Sequence, residues 1–170
     1  DQSCDALGLK REGTWKERLL DYTGGNPVLR DRAMASMKAA GRPLGIEFDY
    51  NCYINRQPVD SQRMILWAGQ FGKQEEFAEA LSSRHFEQGQ TNDDLETILA
   101  AVADVPGLDQ DAAAAFLQTD DLVEFVWQSY GRMIRHFGIT EIPVFAFNRL
   151  GGPSAFSPSF VQDITPTPYI

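Results

Sequence analysis

The sequence predicts a mostly helical α+β domain, and three features of its 170 residues carry that expectation. Apolar residues recur at i, i+3, i+4 and i+7 through most of the chain, the period of helices with one buried face. After Gly138 the period changes, and Ile142-Pro143 leads into Val144-Phe145-Ala146-Phe147, an apolar run of strand length. Asn148-Arg149-Leu150-Gly151-Gly152-Pro153 then turns the chain toward a second short strand near 154–156, so that a late β-hairpin follows the helices.

Taken in order, residues 1–13 mix charges with glycine and read as an extended arm. A short helix is expected from Trp15 to Tyr22, stopped by Thr23-Gly24-Gly25-Asn26-Pro27. Leu29, Ala33, Met37 and Ala40 share one face of the next helix, with Gly41 as its cap. The run 45–50 alternates apolar with acidic residues and suits a short strand or extended edge, followed by a loop that holds Cys52. Pro58 fits a first helical turn, after which Met64, Trp67, Ala68 and Phe71 form a stripe. Phe77, Ala80, Leu81 and Phe86 mark a helix over 74–87. Thr91 with Asp94 resembles a capping box ahead of Leu95, Ile98, Leu99 and Val102. Pro106-Gly107 turns the chain, and Asp109 caps an alanine-rich helix through Leu117. Thr119-Asp120-Asp121 opens the last long helix, lined by Val123, Val126, Trp127, Tyr130, Ile134 and Phe137. Ser157-Pro158 is expected to start a terminal helical turn through Ile164, ahead of a proline-rich tail over 165–170.

Composition sets bounds on function. Twenty-four acidic residues against fifteen Lys or Arg give a net charge of −9, which argues against a nucleic-acid backbone or an anionic membrane as partner. No apolar run approaches the roughly 18 residues that span a bilayer, so the chain reads as soluble. It begins Asp1-Gln2-Ser3 rather than with Met, and the expectation is a processed product or a fragment, cytoplasmic or organellar.

The candidate chemistry is sparse. Cys4 and Cys52 are the possible thiols, far apart in sequence, and neither is followed by a second Cys three residues on. Whether they pair stays open. His85 and His136 are isolated, so no metal site is expected. The pairs Glu75-Glu76 and Asp120-Asp121 lie at helix starts, where the helix dipole accounts for them. Trp15, Trp67 and Trp127 read as core residues rather than as a ligand cage.

Gly138-Ile139-Thr140-Glu141-Ile142-Pro143-Val144-Phe145 resembles the Gly-Val/Ile-x-x-Val-Pro-x-Phe segment of DsbA-like proteins of the thioredoxin superfamily. The branch it looks closest to is the FrnE-like one, related to 2-hydroxychromene-2-carboxylate isomerases and kappa-class glutathione transferases. Gln57-Pro58-Val59-Asp60-Ser61-Gln62-Arg63-Met64-Ile65-Leu66-Trp67-Ala68 is similar to the family's Asn-Thr-x-x-Ala-His-Arg-Leu-x-x-Trp-Ala segment, with Gln57-Pro58 and Gln62 as departures. The resemblance implies a DsbA-like thioredoxin fold over 14–164 with a large helical insertion. The helical block would be 14–138, and 139–164 the C-terminal half of the thioredoxin part. In that family the proline is cis and lies beside a redox-active Cys-x-x-Cys, which makes Glu141, Ile142 and Pro143 the candidate peptide-facing loop. No Cys-x-x-Cys occurs in these 170 residues, and the family's opening βαβ part has no counterpart before Gly13.

Two functional expectations follow. The first is a non-catalytic structural or protein-binding subunit without a cofactor, docked to a protein partner or larger assembly through its edge strand or tail. The second is a thiol–disulfide oxidoreductase, or a glutathione-dependent isomerase, whose active-site segment lies outside this chain.

Overall fold

The computed structural model describes residues 13–54, 59–138, 146–147, 156–157 and 160–162. Contacts group the chain into two compact units, Asp1–Val123 and Glu124–Ile170. In the first, β1 (Gly13–Thr14) runs into α1 (Trp15–Tyr22), and a capping box marks the junction. Glu17 N donates to Thr14 Oγ1 while Thr14 N donates to Glu17 Oε2, so each side chain satisfies an amide that the helix leaves open. Asn26 caps α2 (Pro27–Gly41), its Oδ1 accepting from the amides of Val28 and Leu29, with Pro27 at the first helical position.

The expected apolar face of α2 is not buried. Leu29 is 49% and Met37 51% exposed, because α2 packs on α1 and the following turn. Gly41 is not the cap either. It stays helical, and a 3-10 turn (Arg42–Leu44) continues to Gly45, whose φ of +78° closes it. What Gly41 supplies is room: a Cβ there would meet the Ile46 carbonyl oxygen and the Phe48 ring at 2.8 Å. The run 45–50 forms no ladder. Phe48 instead sets its ring edge-on to Phe86, and the strand comes later, as β2 (Tyr53–Ile54), antiparallel to β1 with Gly13 opposite Ile54.

The core lies in four helices, α3 (Val59–Gly69), α4 (Gln74–Phe86), α5 (Leu95–Ala103) and α6 (Gln110–Leu117). Their predicted stripes meet in one cluster: Met64, Trp67 and Ala68 with Phe77, Leu81, Ile98, Ala101, Val102, Val105 and Ala113. Each large side chain among them contributes roughly 1.5–3 kcal/mol by leaving water. Phe71 and Leu95 fall out of their stripes, Phe71 because α3 ends at Gly69; its ring still packs 4.8 Å from that of Trp67. Asp109 caps α6 as expected, accepting from Ala112 N at 2.7 Å. Thr91 and Asp94 do not form a capping box, since Asp94 makes no side-chain cap bond to α5 and its amide turns back to the Thr91 carbonyl.

Among the described residues, the second unit holds α7 (Val123–Phe137) from Glu124 onward, and three strands, β3 (Ala146–Phe147), β4 (Phe156–Ser157) and β5 (Phe160–Gln162). Trp127 is exposed rather than core. The strand order is β3-β5-β4, with β5 parallel to β3 and antiparallel to β4. This corrects two expectations. Residues 160–162 are a strand and not part of a terminal helix, and β3 and β4 are not a hairpin, because β5 lies between them.

Candidate functional site

Cys4 and the loop residues Glu141, Ile142 and Pro143 lie outside the described residues, as does any statement on a cis peptide bond at Pro143. Cys52 is described. It is a free thiol and fully buried, 0% exposed, so its loop does not present it to solvent. The chain brings it there by pairing β2 with β1 and by hydrogen bonds from the amides of Trp15 and Lys16 to the carbonyls of Cys52 and Tyr50.

Beside the thiol stands His85, buried in the last turn of α4, its Nε2 3.9 Å from Cys52 Sγ. A Cys–His pair is the arrangement of nucleophilic thiols, but the remaining partners decide its chemistry. Trp15 Nε1 lies 3.0 Å from His85 Nε2, and an indole N–H has no acceptor role, so Nε2 must accept. Nδ1 therefore carries the proton and donates to the Gln90 carbonyl at 2.8 Å. The imidazole is neutral, with both nitrogens engaged. Burial holds its pKa below the ordinary value, and the bond to Gln90 works against that. Burial also pushes the Cys52 thiol from 9.0 up to about 11, helped by the nearby Asp49 carboxylate. The thiol leans on the Asp49 carbonyl at 3.5 Å. With a pKa of about 11, about one molecule in ten thousand carries the thiolate at pH 7. The pair is built as a packed, neutral junction and not as an activated nucleophile.

Other buried polar groups escaped the sequence reading. Arg63 is 2% exposed and gathers the end of α6: its guanidinium donates to the carbonyls of Phe116, Thr119 and Asp121, pairs with Asp60 at 2.7 Å, and sits 4.9 Å from the Phe116 ring centroid. It thereby secures the turn at Leu122, a non-glycine residue at a φ of 66°. The pattern Asp60-x-x-Arg63 was the available signal, but nothing local says that it turns inward. Ser61 donates through Oγ to Asn92 O, and its amide donates to Asp93 Oδ1, so a loop residue 32 positions away helps cap α3. Burial raises the Asp93 carboxyl above its usual range.

An open polar hollow of about 390 Å³ lies between α4 and α5, lined by Arg84, Gln90, Asp94 and Thr97 among others. Arg84 is engaged there with Asp104 and Gln90. Among the described residues, no group of three or more His, Cys, Asp or Glu side chains could hold a metal ion. No helix among them is long and apolar enough to cross a membrane.

No curated protein matches this sequence. The family model described as a DSBA-like thioredoxin domain matches residues 14–164, nearly the whole chain, and the protein belongs to that family.

Proposed function

We propose that this chain acts as a non-catalytic, protein-binding DsbA-like module. The observation that carries the reading is the state of Cys52, whose thiol is buried and protonated beside a neutral imidazole already held by Trp15 and Gln90. Disulfide exchange needs an accessible thiolate and a resolving partner, and the 170 residues contain no Cys-x-x-Cys. The surface expected to meet a polypeptide is the segment Glu141-Ile142-Pro143 leading to β3, where an extended peptide would add to the sheet by strand pairing.

The family match supports a second reading, in which 14–164 serves a thiol–disulfide oxidoreductase or glutathione-dependent isomerase whose dithiol lies outside these residues. An insulin-reduction assay with dithiothreitol or glutathione separates the two. The 170-residue chain, and its Cys4→Ser/Cys52→Ser variant, should match the uncatalysed rate, while an apolar fluorescent peptide in extended form should bind and be weakened by Ile142→Asp. Turnover by the chain that is lost with the cysteines would overturn the first reading. If the complete gene product turns over while this chain does not, the second stands.

A further inference from the structure

Hydrogen bonds and ring contacts from residues 13–54 reach the four-helix block at the last turn of α4 and at Glu87 just after it. Asp49 N donates to Phe86 O at 2.6 Å, and Glu47 N to Glu87 Oε2 at 3.2 Å. The Trp15 ring lies 6.4 Å from His85 and 6.3 Å from Phe86, centroid to centroid. At the centre is the bond from Trp15 Nε1 to His85 Nε2. It exists only while Nε2 keeps its lone pair, because Nδ1 already donates to Gln90.

We propose that this seam is an acid-sensitive latch: a proton taken from solvent by His85 sets a second N–H against the Trp15 indole N–H and releases Trp15, with β1 and α1, from the end of α4. Among the described residues the ring meets Trp15, Cys52 and the Gln90 carbonyl, and no carboxylate bonds to it. From the 45–54 segment, the Cys52 thiol lies against the ring, Asp49 accepts from the amide and side chain of Asn51, and Tyr50 is a phenol. From α4, Arg84 is paired with Asp104, and Glu87 accepts from Glu47 N. From α1, Lys16 is exposed and Glu17 is bound to Thr14. Burial favours the neutral ring, so the latch stays closed at neutral pH and opens below the ordinary histidine range near 6.5.

Release would uncover Cys52, and that is the readout. In the full chain with Cys4→Ser, labelling of Cys52 by 4,4′-dithiodipyridine is followed from about pH 7.5 to about pH 5, normalised to the urea-unfolded chain at each pH. The expected result is a normalised rate that rises by up to about tenfold per pH unit below the transition, with far-UV circular dichroism retained. His85→Gln, which keeps an acceptor for Trp15 but does not titrate, should flatten the profile. Should that variant not fold, Trp15→Phe keeps the ring and removes the opposing N–H, and should blunt the rise. A flat profile in the His85 protein, or the same rise in either variant, would overturn the proposal.

Discussion

The four-helix block and the segment before it are both helical, yet they are held by different forces. In the block, stripes at helical spacing from α3, α4 and α5 close on one apolar cluster, so periodicity and burial agree. In residues 13–54, α2 has a comparable stripe and leaves Leu29 and Met37 half exposed, while the attachment to the block runs through Trp15, His85, Asp49 and Cys52. A repeating apolar face thus shows where a helix could bury area, not that it does. The seam turns on single polar bonds such as Trp15 Nε1 to His85 Nε2, whereas the block turns on a shared apolar cluster.

The contrast can be broken from the block first. Phe77→Ala should cost about 3–5 kcal/mol in urea unfolding, since the side chain is fully buried at the centre of the cluster. Arg63→Ala should cost about 1.5–3 kcal/mol, because it removes a buried guanidinium's charge-assisted bonds to the carbonyls of Phe116, Thr119 and Asp121 and its pair with Asp60. The seam should respond to alkali next. Cys52 has a raised pKa in the folded state, so the unfolded chain loses its proton first and stability falls as pH rises from 9.0 toward about 11. The loss due to Cys52 is of order 2–3 kcal/mol. Cys52→Ala should remove that share of the dependence and leave the one from Tyr50, whose phenol is also pushed up by burial. Ser61→Ala should cost about 1–2 kcal/mol through loss of its bond to Asn92. Leu29→Ala and Met37→Ala should each change stability by less than about 1 kcal/mol, and a cost matching Phe77→Ala would erase the contrast.

Much of this contrast was not legible in the sequence. The helices were, from Trp15 to Phe137, because helical periodicity is a local signal, and so was the Asp109 cap. The Trp15–His85 bond spans 70 positions and the Cys52–His85 contact 33, and no spacing rule brings such residues together. Arg63 read as one letter in a helical segment; its burial depends on carbonyls from the end of α6 and the turn beyond it. Phe160–Gln162 is too short to show a period, and its strand character comes from pairing with β3 and β4 on either side. The family was legible from segment order, as the match over 14–164 bears out.

The most direct test of the central claim, that the described thiol is a structural group and not a nucleophile, is a spectroscopic titration of Cys52 in the folded Cys4→Ser chain by thiolate absorbance at about 240 nm. The account predicts no thiolate at neutral pH and ionisation near pH 11. A thiolate already formed below about pH 7.5, in the range of activated cysteines, would contradict it.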